Sequence, residues 1–266
     1  MFRLINLHRG VLLCYVTDRR SLSAFESAEH QELSSFESAG EREMLLRKIE
    51  AASAAGVDWI QIREKDLSGK DCAALTREAL QRAAKSQSTV VAAAEPAVTE
   101  ATDAGAAAAK FSSNRIMPAR IFVNDRLDVA ISENAGGVHL SEKSLPIAEA
   151  KRLAHSQAGS LDFLIGVSCH SLEDAKSAAV GGADYLFFGP VFATPSKTAF
   201  GAPQGIELLA EVCRVVSVPV LAIGGVTLEN FSACVAAGAS GIAAIRLFQD
   251  ARDMPALVQA LRKINR

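Results

Sequence analysis

Val57-Asp58-Trp59-Ile60-Gln61-Ile62-Arg63-Glu64-Lys65 is a short apolar run that stops abruptly at polar and charged residues. A run of this length is a strand candidate. The same event recurs along the chain. Ile121-Phe122-Val123 stops at Asn124-Asp125-Arg126, Gly137-Val138 at His139, and Leu164 to Val167 at Ser168-Cys169-His170. Tyr185 to Phe188 stops at Gly189-Pro190, Val218 to Ile223 at Gly224-Gly225, and Gly241 to Ile245 at Arg246. Val11 to Val16, ending at Thr17-Asp18, is the first of the set.

Helical segments follow most of these runs. Met44, Leu45, Ile49 and Ala52 share one face of a helix expected from Glu41 to a stop at Gly56. Leu75, Ala79, Leu80 and Ala83 mark another over residues 70 to 85. Pro146 opens a helix to about His155, and Ser171-Leu172-Glu173-Asp174 has the capping-box form ahead of one that Gly181-Gly182 closes. Further helices are expected over Gly205 to Val215, Thr227 to Ala237 and Asp253 to Ile264. Alternating strands and helices with polar residues at the C-terminal strand ends predict an α/β protein, a single (β/α)8 TIM barrel, which builds active sites at that face. The chain reads as an enzyme. Its 266 residues, 49% of them hydrophobic, fill one such domain and leave no room for a second. Residues 19–40 and 86–119, rich in Ala, Ser, Glu and Thr, are read as flexible or loosely helical insertions because they offer little to bury.

A net charge of -2 supplies no electrostatic footprint for nucleic acid or an anionic membrane, which leaves small-molecule chemistry. The five cysteines are scattered, odd in number and without C-x-x-C spacing, so neither a disulfide framework nor a zinc site is indicated. A reducing, cytoplasmic setting is expected. The apolar stretch at Val11 is too short for a signal peptide, and no segment is long enough to span a bilayer. Whether the chain forms a homodimer is left open.

Gln61, Arg63 and Lys65 are spaced by two, so an extended segment would present all three on one face at the barrel mouth. Two cations and an amide suit a multiply charged anion such as a diphosphate; the plainer reading is salt bridging with Glu64 and Asp66. Asp125, beside Asn124, invites magnesium, which binds through one or two carboxylates plus phosphate and water, or else it caps the next helix. Gly224-Gly225 ahead of Thr227 suits a phosphate cradle at the loop where this barrel usually binds phosphate, or serves tight packing. Arg246 would add a cation there, or pair with a carboxylate. Thr194-Pro195-Ser196-Lys197 offers two hydroxyls and an ammonium on a loop that could fold over substrate. Ser168 and His170 lack an acid to complete a hydrolytic triad, and His170 is read as orienting its loop.

Tyr15 to Asp18, Gln61 to Lys65, Asn124 to Arg126, Gly137 to Leu140, Gly166 to Ser168, Gly189 to Phe192, Thr194 to Lys197 and Ala222 to Val226 together resemble the thiamine phosphate synthase family in order and spacing. The resemblance covers nearly the whole chain apart from residues 19–40 and 86–119. It implies a (β/α)8 barrel that joins hydroxymethylpyrimidine diphosphate to a thiazole phosphate and releases pyrophosphate. By position it implies that Gln61, Arg63, Lys65, Asn124, Ser168 and Lys197 hold the pyrimidine diphosphate and that Asp125 binds Mg2+. It places Thr194, Ser196, Gly225 and Ile245 against the thiazole phosphate. Three positions depart from the family pattern. Ser144 stands where a second magnesium-binding Asp is usual, with Glu142 or a water held by Ser144 as the compensating ligand. Ser196 replaces a Thr, and Arg246 replaces a phosphate-binding Ser and is expected to bind the same phosphate. Two rivals remain: a thiazole tautomerase on the same barrel with His170 as its acid-base group, and a non-catalytic sensor of thiamine precursors.

Overall fold

The apolar runs become eight strands: β1 (Leu12–Val16), β2 (Trp59–Ile62), β3 (Arg120–Asn124), β4 (Gly137–Leu140), β5 (Leu164–Cys169), β6 (Tyr185–Phe188), β7 (Val220–Ile223) and β8 (Gly241–Ala244). In the computed structural model, which describes residues 10–23, 36–92, 117–141, 143–157, 162–194 and 202–264, each strand pairs in parallel with the next. β8 returns to β1, with Leu12 opposite Gly241, and closes the barrel. The helices are α1 (Arg20–Ser23), α2 (Phe36–Ala55), α3 (Gly69–Ala92), α4 (Leu127–Ser132), α5 (Ile147–Gln157), α6 (Leu172–Val180), α7 (Gly205–Val215), α8 (Phe231–Ala236), α9 (Arg246–Gln249) and α10 (Met254–Ile264). The expected (β/α)8 barrel is the fold.

Strand side chains alternate between two faces, and closure turns one face inward. Leu12, Cys14, Trp59, Phe122, Leu164, Tyr185, Phe187, Leu221 and Ala243 form a single interior cluster. The alternate set, including Leu13, Tyr15, Ile60, Ile62, Leu186 and Phe188, packs against Leu45 and Ile49 of α2, Leu75 of α3 and Leu209 of α7. A second outer cluster joins Val123, Val138 and Ile165 to Leu127 of α4 and Ala150 of α5. Both faces are dry, as an all-parallel sheet requires.

Several helices differ from their expected limits. α2 begins at Phe36 instead of Glu41, and α3 runs to Ala92 instead of residue 85. Once a helix is nucleated each further residue adds a hydrogen bond at little cost, and no proline interrupts either extension. Both extensions enter segments expected to be insertions, and α1 lies within the first of them; residues 24–35 and 93–116 of those segments lie outside the described residues. α8 begins only at Phe231, four residues after Thr227, because the Asn230 side chain accepts from the Thr227 N–H (2.8 Å) and donates to the Gly225 carbonyl (2.9 Å), making a turn there. Ser171 caps α6 as its motif indicates, accepting from the Asp174 N–H at 3.1 Å.

The interior is anchored by aromatic rings. Trp59 lies 5.0 Å from Phe122 and 4.8 Å from Tyr185, and Phe122 meets Tyr185 edge-on at 5.5 Å. Gly166 makes room for Tyr185: a Cβ there would sit 2.0 Å from Cζ of that ring. Overpacking a well-filled interior typically costs about 1–3 kcal/mol. Gly166→Ala is expected to lower stability by at least that much in urea unfolding; an unchanged midpoint would show that the ring can yield.

Candidate active site

The C-terminal ends of the strands gather the residues read as functional. Gln61 ends the inward face of β2 and is buried at 2% exposure. Arg63 follows half-buried, and its backbone N–H donates to Thr17 Oγ1 at 2.9 Å. The chain then turns, so Lys65 leaves the shared face and is exposed. The neighbouring carboxylates are occupied elsewhere. Glu64, buried at 8%, accepts from Thr17 Oγ1 at 2.6 Å and pairs with Arg19 at 3.1 Å, while Asp66 pairs with Arg19 and with Arg20 at 3.0 Å. Burial raises the Glu64 pKa despite the opposing bonds from Thr17 and Arg19. Salt bridging of Arg63 and Lys65 with these carboxylates is therefore not what forms: Arg19, from the β1 loop, takes both acids and leaves Arg63 without an ion-pair partner among the described residues.

Asn124 ends β3 and Asp125 follows in left-handed backbone at φ 57°, a conformation Asp adopts more readily than most residues. The Asp125 carboxylate does not cap α4, whose N-cap is Arg126 without a side-chain bond. It turns to the β4 loop, accepting from the Ser141 N–H (2.7 Å) and the Ser144 hydroxyl, while Asn124 donates to its other oxygen at 2.7 Å. Burial pushes its pKa up, yet the bonds from Ser144, Ser141 and Asn124 outweigh burial and hold it below the usual range.

These bonds have a direction. A carboxylate only accepts, so Asn124 must present its NH2 to Asp125 and its carbonyl to Gln61, which donates from Nε2 at 2.8 Å. Gln61 is thereby left with Oε1 as a buried acceptor lacking a partner among the described residues. An unmet acceptor of this kind is costly unless a ligand satisfies it.

On the next strands, His139 is buried between the Tyr185 hydroxyl (Nδ1, 3.2 Å) and the Ser168 hydroxyl (Nε2, 2.9 Å), with its ring stacked 4.0 Å from Phe187. Burial lowers its pKa to about 3; nearby Asp125 works against the shift and Arg63 adds to it. His170 is held by its Nδ1 against the Gly189 carbonyl, as an orienter of the β6 loop.

Across the mouth, Gly224 and Gly225 take positive φ of 94° and 66°, and a Cβ on Gly225 would lie 2.5 Å from the Ala193 carbonyl. Glycine here lets the β6 and β7 loops close on each other, so the packing role is real whatever else the loop binds. Asn230 already takes the Thr227 N–H, so no helix N-terminus follows directly. Ile245 packs against the barrel interior, while Arg246 opens the short α9 and is exposed, lining a groove with Val226, Thr227, Asp250 and Leu257. Thr194 is half-buried at the end of the described β6 loop. Ser196, Lys197 and Glu142 lie outside the described residues.

A family model described as thiamine monophosphate synthase matches residues 102–248. A thiamine-phosphate synthase of Methanoculleus marisnigri is 38% identical over 212 residues, which cover 79% of this chain and 83% of that protein. One from Moorella thermoacetica is 33% identical over 220 residues, covering 82% and 87%. The solved thiamine phosphate pyrophosphorylase from Pyrococcus furiosus superposes with a TM-score of 0.67 at 27% identity, over 97% of both chains. The chain belongs to the thiamine monophosphate synthase family.

Within a thiamine monophosphate synthase barrel, Gln61, Arg63, Asn124, Asp125, Ser144 and Ser168 meet at one side of the mouth, and Gly225, Ile245 and Arg246 lie at the other. Five participants escaped the sequence reading as functional groups: Thr17, Arg19, Glu64, His139 and Tyr185. Each sits in or beside a quoted motif, but their contacts span 29 to 47 positions, which no local pattern shows. Among the described residues no helix is long and apolar enough to cross a membrane.

Because His139 is held neutral when folded, the unfolded chain takes up a proton near pH 6.5 that the folded chain refuses until about pH 3. Its contribution is thus intact above pH 6.5 and is lost as pH falls through that window, with a limiting slope of about 1.4 kcal/mol per pH unit. Urea unfolding of His139→Gln between those limits is expected to show a shallower acid decline than the parent. Parallel curves would mean His139 protonates without cost.

Proposed function

We propose that the protein uses this mouth to join hydroxymethylpyrimidine diphosphate to a thiazole phosphate, giving thiamine phosphate and pyrophosphate. The observation that carries the reading is the orphaned Gln61 Oε1. An acceptor fixed on a buried floor calls for a donor on the ligand, and the exocyclic amino group of an aminopyrimidine supplies one. Arg63, two residues on from Gln61 and with no carboxylate partner among the described residues, serves the diphosphate.

In the reaction the methylene C–O bond breaks, pyrophosphate leaves with the electron pair, and the electron-rich aminopyrimidine stabilises the cation. The thiazole nitrogen then forms the C–N bond. Arg63 neutralises charge on the departing pyrophosphate, with Lys65 at the rim and Lys197 assigned the same role by position. Ser168 and Asn124 orient the diphosphate end, and Gly225, Ile245 and Arg246, with Thr194 and Ser196, receive the thiazole phosphate. No covalent enzyme intermediate is required.

Mg2+ fits the donor set. The Asp125 carboxylate and the Ser144 hydroxyl beside it, with the Ser141 hydroxyl 3.0 Å from that of Ser144, are oxygen donors with a single carboxylate, as suits a hard cation completed by phosphate and water. Asp125 would hold the ion and Ser144 would contact it or its water. When bound it neutralises diphosphate charge. Among the described residues no group of three acidic, His or Cys side chains could hold a metal unaided, which favours arrival with the diphosphate. The five cysteines are all unpaired thiols, and we place the enzyme in the cytoplasm. The tautomerase reading loses support because His170 is tied to Gly189.

Purified protein mixed with both substrates and Mg2+ is expected to form thiamine phosphate and pyrophosphate in equal amounts, with loss of both in EDTA. Arg63→Ala should lower kcat by about 10²–10³-fold with the fold retained. Gln61→Leu should raise KM for the pyrimidine diphosphate by about tenfold, the equivalent of one hydrogen bond. Binding of thiazole phosphate without product from the parent protein would sink the assignment.

A further inference from the structure

His139, Gly166 and Tyr185 stand in one row on β4, β5 and β6, with Gly166 paired to both. The bare glycine lets the Tyr185 ring lean across β5 until its hydroxyl reaches His139. Tyr185 is 1% exposed, and its hydroxyl has no other partner among the described residues. Its hydrogen therefore has one destination, His139 Nδ1. The opposite arrangement, Nδ1–H donating to the phenol, would strand a buried hydroxyl hydrogen at a free-energy cost. With Nδ1 accepting, the ring proton of the neutral imidazole is on Nε2, which then donates to Ser168 Oγ. The imidazole face lies against Phe187, with ring centroids 4.0 Å apart at 31°, so the ring plane is fixed by packing.

We propose that His139 is a positioning residue: Tyr185 fixes it as the Nε2–H tautomer, and Nε2–H holds the Ser168 oxygen so that the serine hydrogen is directed into the mouth as a donor to substrate. Ser168 is half-buried and has no other hydrogen-bond partner among the described residues, so its own hydrogen is available. The inner end of the relay is a phenol in the barrel core, and the outer end is a serine with one polarity. The floor then presents a fixed acceptor at Gln61 Oε1 and a fixed donor at Ser168. The proposal rests on Ser168 contacting the pyrimidine diphosphate.

Nitrogen-15 NMR of histidine-labelled protein, with His139→Gln for assignment, reads the tautomer directly. The expected result is a protonated Nε2 and a bare Nδ1, and relaxation of that preference in Tyr185→Phe, which keeps the ring packing. In kinetics, Tyr185→Phe should lower kcat/KM for the pyrimidine diphosphate by about tenfold while leaving KM for the thiazole phosphate unchanged. The Tyr185→Phe/Ser168→Ala double variant should be no worse than Ser168→Ala alone. A purely structural Tyr185 would move both substrates and give additive losses. A protonated Nδ1 in the parent, or additive losses, overturns the proposal. A parent protein with the Nε2–H ring but no synthase activity overturns the functional reading instead, so the two failures are distinguishable.

Discussion

The pairing of β1 with β8, from Leu12 opposite Gly241 to Tyr15 opposite Ala244, turns the sheet into a closed wall. With no edge left over, every inward residue shares one interior with seven other strands, and the period of two along each strand becomes a set of layers. Trp59, Phe122 and Tyr185 fill an apolar layer; two residues on from Trp59 and Phe122 come Gln61 and Asn124, and Ser168 follows Gly166, the partner of Tyr185, by the same step. His139 joins both, with Tyr185 on one ring nitrogen and Ser168 on the other. The site is thus the top of the core itself and inherits its rigidity. Its polar groups are correspondingly fixed in hydrogen-bond sense, because Asp125 can only accept and the Tyr185 hydroxyl has one partner among the described residues.

Charge is distributed by the same logic. The β1 loop brings Arg19 across to Glu64 and Asp66, while Thr17 ties Glu64 to the Arg63 backbone. Anions adjacent in sequence to Arg63 are thereby consumed by a cation from elsewhere. Gln249 reinforces this loop from the other side, accepting from the Tyr15 hydroxyl at 3.1 Å and donating to the Asp18 carbonyl at 2.7 Å. A guanidinium with no ion-pair partner among the described residues, at a partly buried mouth, costs stability, and under the proposed function that cost is what the diphosphate would relieve. Asp125 shows the converse arrangement: its negative charge is satisfied by hydroxyl and amide donors instead of a cation, so the proposed metal would displace hydrogen bonds there and no salt bridge. Ser144 suits this arrangement as a neutral donor, since a carboxylate at that position would repel Asp125.

The strand count, the order of the elements and the polar cluster at each strand end were legible from the residues, because hydrophobic period and strand termini are local properties. So was the convergence of Gln61, Arg63, Asn124, Asp125 and Ser168, which follows once the strands are assigned to a barrel. Helix limits were less so: the Asn230 side chain decides where α8 starts, and nothing at Thr227 announces it. Lys65 follows Arg63 by two residues yet leaves the shared face, because alternation holds only while the chain remains extended.

What the sequence determined by itself is therefore the barrel, the family and the chemical types that face its mouth. Tertiary structure decided which of those groups are spoken for. Whether Glu64 belongs to Arg63 or Arg19, whether Asp125 caps a helix or faces Ser144, and which histidine reaches the site are questions of distance between residues far apart in the chain. Local pattern carries no information on such distances; only closure of the barrel, with its fixed register, sets them.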